Sequence, residues 1–525
     1  MKKSQLPSDA AGRFPGGRTT VIGSDAGQRH MRPRHLHPTL LGLLAIVALL
    51  VVPALASGAE KAPKTALPPL ETNIGSLTQL PGRLGCLSDG KGAKTVCGQA
   101  RALKGPGPGV GSRAIAISPD GRNVYAAASA SDSIAVFDRN PITGALTQPK
   151  GKAGCVASVV GKAKGAQGCG PAVGLIGPDS VAVSPDGRDV YATSRGGSSI
   201  TTFVRSRKTG QLRQLPPSAS GCISGLPIPT CTTGRALKWP DVVVVSADGK
   251  NVYVGDFAGS GVISFSRAGK AGALTQLPGT AGCITEAAAE GCAQGTAMNH
   301  IEGMAINNSG TAVYAASPFS SAVDVLYRER STGALSQATD GSGCITDAVV
   351  AGCTQGYEIN GVNALVVSPK SGNVYATSLG SNSVTMFRPS AEGIGLAQPA
   401  RPEGENIPEG LGNPSGCLVF LRAPGCSFGR AMKAPEGLAL SPSGTNLYIA
   451  AFETGAIDVL DRSLNSGVVN QKPGERGCLA PATVGGCSRG RALAMTGSVV
   501  VSPDGRNVYS TAQKSNAVDI FRRIR

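Results

Sequence analysis

From Ser76 to the C-terminus, short apolar runs alternate with polar turns, and the alternation repeats. One unit reads Gly303 to Ile306 (GMAI), Ala312 to Ala316 (AVYAA), Ala322 to Tyr327 (AVDVLY) and Gly333 to Gln337 (GALSQ). Each run is four to six residues long, rich in Val, Ile, Tyr and Ala, and bounded by Gly, Ser or Pro. That is the pattern of short strands. The first two are joined by a turn of the SPDG type. In Ser184-Pro185-Asp186-Gly187 the proline presets φ and the glycine closes the turn. Such turns start at Ser118, Ser184, Ser246, Asn307, Ser368, Ser441 and Ser502, and three of the six spacings are 61 residues. A fixed period of this length marks a repeat architecture.

The first strand of a unit is apolar on both faces, as in Val242 to Val245 and Val499 to Val501, which suits the innermost strand of a packed stack. Four strands in each of seven units predict an all-β, seven-bladed β-propeller. A solenoid would need distinct capping repeats, and neither end carries one. The last unit stops after its third strand, Ala517 to Phe521, while an orphan strand, Ser76 to Leu80 (SLTQL), matches Ala273 to Leu277 (ALTQL). The N-terminal strand is therefore expected to complete the C-terminal blade, which closes the ring and removes an exposed edge. The expected organisation is an N-terminal extension with a signal peptide over 1–56, a linker over 57–74 and the propeller over 75–525. Aromatics are only 4% of residues, with one tryptophan, Trp239, so the blades are expected to pack mainly Ala, Val, Leu and Ile.

Residues 1–37 are polar and basic, Leu40 to Val52 is apolar, and Pro53-Ala54-Leu55-Ala56 follows. This reads as a signal peptide cleaved after Ala56, with Met31 as an attractive start. The apolar run is short for a membrane span, so no span is expected in the mature chain; an uncleaved signal anchor is the alternative. The protein is expected to be secreted or in the cell envelope. Export bears on the cysteines. The fourteen fall into local pairs: Cys86 with Cys97, Cys155 with Cys169, Cys222 with Cys231, Cys283 with Cys292, Cys344 with Cys353, Cys417 with Cys426 and Cys478 with Cys487. Outside the cytoplasm such pairs read as disulfides. Metal ligation is the weaker reading, because His300 is the only histidine after the signal region.

The formal charge is +17; residues 1–56 carry seven Lys/Arg and two Asp/Glu, so the remainder keeps +12. Such a balance favours anionic surroundings. It excludes a nucleic-acid reader, because the basic residues are spread over every repeat with no interleaved aromatic stripe. The expected partners are an anionic small molecule, a cell-envelope polymer or an extracellular protein, and the chain is expected to be a monomer.

Five residues before each turn lie Arg113, Asp179, Asp241, Glu302, Asn363, Glu436 and Gly497. Four are acidic and enter the inner strands. Converging carboxylates can hold Ca²⁺ at the channel mouth, raise one another's pKa for acid–base work, or satisfy backbone donors at a strand entrance. No other cofactor is indicated. His300 beside Glu302 is the one His/carboxylate neighbourhood, which makes Glu302, His300 and Asp241 the catalytic candidates. Arg101, Arg235, Arg430 and Arg491 each sit in an R-A-[LM] motif after a cysteine. They are candidates for clamping an anion or for pairing with carboxylates of the next blade. A further arginine series, Arg139, Arg205, Arg267, Arg328, Arg462 and Arg523, with Arg388 one position early, reads as solvated or inter-blade pairs on the opposite face.

SPDG-x-x-VY, followed by Val136-Phe137-Asp138-Arg139 and Thr143 to Gln148 (TGALTQ), resembles the seven-bladed lactonase family. That family includes 6-phosphogluconolactonase-like and carboxymuconate-cyclising propellers and is close to the YVTN repeat proteins. The resemblance spans Ser76 to Arg525 and implies the propeller fold and lactone hydrolysis or cyclisation. Members often carry histidine just before the inner strand, where this chain has Asp179, Asp241, Glu302 and Glu436. The stapled loops are also additional to the family pattern. The leading expectation is thus an exported, disulfide-stapled binding module. A lactonase-type hydrolase or cyclase acting on a small anionic lactone is the alternative, and a purely structural surface protein the third reading.

Overall fold

A computed structural model describes residues 73–90, 95–107, 113–160, 168–268, 272–400 and 416–525. They form seven antiparallel sheets arranged as the blades of a propeller. The inner strands are Ile115–Ile117, Pro178–Val183, Pro240–Val245, Gly303–Ile306, Val362–Val367, Pro435–Leu440 and Thr496–Val501; the blades are numbered 1 to 7 in that order. Blade 3 shows the plan. Pro240–Val245 pairs with Asn251–Asp256, which pairs with Gly261–Arg267. The outer strand is in two pieces. Leu274–Gln276 pairs with the far end of the third strand and Cys283–Thr285 with its beginning, across a 3₁₀ turn at Gly279–Gly282. Ala293–Gln294 then adds in parallel to Cys283–Thr285.

Each blade thus has six strand pieces where four strands were expected. The reason is the cysteine pair. It ties the second half of the outer strand to the added parallel strand, and that extra edge was hidden inside what reads as a loop. All seven expected disulfides are present. Cys86 is bonded to Cys97, Cys155 to Cys169, Cys222 to Cys231 and Cys283 to Cys292. Cys344 is bonded to Cys353, Cys417 to Cys426 and Cys478 to Cys487. Their Cα–Cα separations are 4.8–5.0 Å, inside the usual range. Within each pair the second cysteine lies at or next to the added parallel strand, as Cys292 precedes Ala293–Gln294 and Cys353 opens Cys353–Gln355. The disulfides fit an oxidising compartment. Among the described residues no helix is long and apolar enough to cross a membrane. The expected signal peptide, its expected cleavage site and most of the expected linker lie outside the described residues.

Ring closure follows the expectation. Leu77–Gln79 pairs with Ala517–Arg523 of blade 7, and Cys86–Ser88 and Gly98–Gln99 complete the same sheet. The first cysteine pair, Cys86 with Cys97, therefore staples the last blade.

The scarce aromatics are concentrated rather than absent. Seven of the nine tyrosines, Tyr125, Tyr191, Tyr253, Tyr314, Tyr375, Tyr448 and Tyr509, take one position in successive blades and are fully buried. Each hydroxyl donates to a carbonyl in the next blade, as Tyr125 Oη does to Gly210 O at 2.9 Å. Arginine from that next blade then donates back. Arg205 Nε reaches Tyr125 Oη at 2.7 Å, and its Nη2 reaches Asp120 and Asn123. The same clamp recurs at Arg139, Arg267, Arg328, Arg462 and Arg523. These arginines are buried inter-blade clamps, not solvated ones. Blade 5 departs. Arg388 is exposed, Pro389 takes the clamp position, and the facing turn of blade 4 has Ser309 in place of the aspartate.

On the other face a glutamine in the outer strand of each blade binds the previous blade's stapled loop. Gln276, for example, accepts from Arg235 N at 2.9 Å and donates to Arg235 O at 3.1 Å. The lumen is an apolar cavity of about 580 Å³ lined by inner-strand residues such as Ile115, Val181, Val243, Leu365 and Val499.

Candidate functional site

The stapled loops and the loops that follow each second strand share one face of the ring. There the inner strands begin, and the sequence-predicted acids converge. Asp179 and Asp241 enter blades 2 and 3 and are buried. Arg195, the first residue after the second strand of blade 2, lies between them. Its Nε is 2.7 Å from Asp179 Oδ2 and its Nη2 is 2.9 Å from Asp241 Oδ1. Glu302 of blade 4 and Glu436 of blade 6 complete the group at 5% and 3% exposure. One oxygen on each, Oε2, is buried with no hydrogen-bond partner.

Four carboxyls with one guanidinium cannot all stay ionised out of water. Burial, with Asp241 nearby, pushes Glu302 up to about 9 against the pull of Arg195. Burial and the charges of Glu302 and Asp241 hold Glu436 well above the carboxylate range. Asp241 is pushed up to about 6 by burial, with Arg195 opposing. Asp179 is raised by burial and by Asp241. At neutral pH the mouth therefore combines a protonated Glu302 with Asp241 close to its titration point.

Arg113 and Asn363 occupy the same ring position but are spent internally. Arg113 Nη2 donates to Leu365 O at 2.8 Å. Blades 1 and 5 are not neighbours, so this bond spans the channel and separates the acidic mouth from the apolar lumen. Its burial lowers Arg113 to about 10, which leaves it cationic. Asn363 donates to Pro435 O and accepts from Thr377 Oγ1.

Beside the acids is an aromatic shelf. Trp239 and Phe257 of blade 3 have ring centroids 5.9 Å apart; Phe257 meets His300 edge-on at 4.2 Å; His300 stacks on Phe319 at 4.2 Å. The Arg195 guanidinium lies over Trp239 and Phe257 at 5.9 and 5.4 Å, within cation–π range. Trp239 is 47% exposed and Phe319 66%. Asp256 holds the shelf by accepting from the backbone N–H of Lys238, Trp239 and Gly259. His300 has φ 63°, and the same position is left-handed at Gly177, Gly361, Ala434 and Met495 of blades 2, 5, 6 and 7. Burial lowers its pKa, so the ring is neutral at pH 7. Its Nδ1 pairs with Asn299 Oδ1, and its contacts are to the rings rather than to Glu302.

Glu302, Asp241, Asp179, Glu436 and His300 thus gather at the mouth, while Arg101, Arg235, Arg430 and Arg491 do not. Each of these four arginines donates from the crown loop to carbonyls beside the outer strand of the next blade. Arg101 reaches Pro149 O, Arg235 reaches Gly279 O, Arg430 reaches Gly474 O and Arg491 reaches Leu80 O. Backbone carbonyls take those donors, while Arg430 and Arg491 also act on the buried Asp458 and Asp519 of the next blade. The expectation of Ca²⁺ at the mouth finds no support either. Arg195 already supplies the cation for Asp179 and Asp241, and among the described residues no group of His, Cys, Asp and Glu is arranged to hold a metal ion. Sequence reasoning missed Arg195, Phe257 and Phe319. Arg195 and Phe257 directly follow their second strands, where the other blades have Ser129, Pro318, Leu379, Phe452 and Gln513, and Phe319 comes one residue later in blade 4. A position that varies this freely in an otherwise regular repeat was the available signal.

No protein-family profile and no curated protein matches the sequence. Similar solved structures include a proposed 6-phosphogluconolactonase of Bacteroides uniformis, 18% identical over 68% of this chain and 82% of that one, with a TM-score of 0.45. A periplasmic gluconolactonase of Pseudomonas aeruginosa is 16% identical over 69% and 83%, TM-score 0.44. The hydrazine synthase of Kuenenia stuttgartiensis is 17% identical over 79% and 96%, TM-score 0.43.

Proposed function

We propose that this chain is an exported, disulfide-stapled propeller that binds a ligand at the crown-face mouth of its channel. The observation that carries the reading is the set of buried, unpartnered carboxyl oxygens on Glu302, Glu436 and Asp241 beside exposed ring faces. A structural network normally satisfies buried polar atoms. Groups left open next to an exposed aromatic surface are instead typical of recognition sites. The stapled loops hold the shelf rigid, so little ordering entropy opposes binding. The test is a ligand panel of envelope polymers, sugars, amines and organic acids against the purified, oxidised protein. Melting temperature and Trp239 emission are both followed. A ligand that shifts both, loses both effects in Arg195→Ala and loses its effect on melting temperature in Trp239→Ala, is expected. A panel whose binders ignore both substitutions places binding elsewhere.

One observation favours a second reading, a lactonase-type hydrolase or cyclase. Glu302 is an acid up at about 9 close to Asp241 at about 6. Neighbouring groups pushed apart in this way suit a general acid and a general base. Turnover of sugar or muconolactone-type lactones that disappears in Glu302→Gln is the expected sign of it. Turnover unchanged in that variant rejects the site.

A further inference from the structure

Arg195 shows what this mouth holds well. Its guanidinium is paired with two carboxyls and covered by two aromatic rings. Farther round the ring the same ingredients recur, with Arg195 as the nearest cation and already held by Asp179 and Asp241. Glu302 and Glu436 each carry a buried oxygen with no hydrogen-bond partner. His300 and the exposed Phe319 stack on one another on blade 4, which carries Glu302. Asn363, which enters blade 5 between these two acids, does not compensate, because its amide is used by Pro435 and Thr377. Arg113 does not either, because it is tied to Leu365.

Resting on the ligand-binding reading above, we propose that the mouth takes a small organic cation, a primary ammonium or guanidinium on a slender stem, between Glu302 and Glu436 with the Phe319–His300 pair against its stem. An ammonium brings three donors and no acceptor. It thus matches two carboxyls and a ring face, which are the groups left over here. An anion would face two acids at this spot, while Arg195 is engaged by Asp179 and Asp241. The stem must be slender because both acids are almost fully buried, so only a narrow charged tip reaches them. The raised pKa of both acids agrees with a site short of one positive charge.

The test uses the full, oxidised protein and the emission of Trp239, the only tryptophan in the chain. Butylammonium and butylguanidinium are titrated at fixed ionic strength, against butylurea as the neutral probe, butyrate as the anion and potassium chloride as the salt control. A saturable change with the two cations alone is expected. Binding should weaken at least tenfold in the double variant Glu302→Gln, Glu436→Gln, which keeps side-chain shape and is expected to melt no lower than the parent. Cations that give no saturable change, or that bind the double variant as tightly as the parent, overturn the proposal. Saturable binding of butylurea or butyrate where the cations fail overturns the cation class while leaving the ligand-binding reading standing. That reading falls only if the wider panel finds no ligand sensitive to Trp239 and Arg195.

Discussion

Arginine and carboxylate are buried together on both faces of this ring, with opposite balance. On the turn face each of six arginines meets a tyrosine of the preceding blade, and the aspartates clamped by the arginines of blades 2, 3 and 4 are satisfied several times over. Burial pushes Asp186 up, yet the bonds from Ser184 and Arg267 outweigh it and hold it down at about 2. At the crown mouth four carboxyls share Arg195, and burial raises all four. The difference teaches which polar groups build the ring and which are left for something else. Where every group has a partner, the cluster is mortar between blades. Where acids outnumber cations, the cluster is kept neutral at a cost, and it is there that the proposed ligand would bind.

The largest effect should come from breaking the mortar. Arg205→Ala leaves Asn123 and the Tyr125 hydroxyl beside a void and strips the partly exposed Asp120 of its partner, since the Arg205 side chain is fully buried. Deleting the buried side chain and leaving Asn123 and Tyr125 short of a partner costs about 2–4 kcal/mol. The same change at exposed Arg388 should stay within about 0.5 kcal/mol. Denaturant melts of the two variants check the contrast. Equal losses would mean that the turn-face clamps are not what holds the blades together.

The mouth should respond to pH in the opposite sense from an ordinary acid pair. The folded state holds the Glu302 proton more tightly than the unfolded chain, whose glutamate titrates near its ordinary value. Stability is then fully present below about pH 4 and is lost as pH rises toward about 9. By linkage the loss between pH 5 and 8 has an upper bound of about 4 kcal/mol. Glu302→Gln should flatten that slope and melt higher than the parent at pH 8. A parent whose stability rises steadily over the same range would show that the mouth acids are ionised and paired after all.

How much of this was legible beforehand follows the same division. The ring, its closure by Leu77–Gln79 and the seven staples follow from a period and a spacing, which local sequence carries. The acids at the inner-strand entrances were legible for the same reason, because they recur at one repeat position. Arg195 and the shelf were not, because nothing in a linear pattern brings a residue after the second strand of blade 2 onto a ring from blade 3. The fate of Arg101, Arg235, Arg430 and Arg491 was hidden too. Their partners are backbone carbonyls about forty to fifty residues away, or, for Arg491, at the other end of the chain, and a carbonyl leaves no signature in the sequence. The extra parallel strand of each blade is two or three residues long, too short for periodicity to register.

The staples give a smaller and more uniform effect than the arginine clamps. Replacing both Cys222 and Cys231 by serine opens a loop with a sequence separation of 9 residues. In the chain-entropy model that costs about 2–3 kcal/mol. The loop it frees follows the Cys222–Ser224 strand and leads back to the mouth through Trp239. The double variant should therefore also broaden or shift Trp239 emission, whereas Arg205→Ala should not while the protein is folded. Emission that moves equally in both would erase the distinction between the mouth and the mortar.

The smallest effect sharpens the comparison most. His300 sits at φ 63°, a left-handed conformation that costs a non-glycine residue roughly 1–2 kcal/mol. His300→Gly relieves that strain, but it returns roughly 0.5–1 kcal/mol of chain entropy to the unfolded state and removes the stacking on Phe319. The terms nearly cancel, so the melting midpoint should move by less than about 0.5 kcal/mol in free energy. What should change is the response of Trp239 to any ligand that uses the shelf, because Phe257 and Phe319 lose the ring between them. A substitution that leaves stability alone and alters only that response would mark His300 as a residue kept strained for the site. A loss above about 2 kcal/mol would place it with the tyrosines and arginines that hold the blades together.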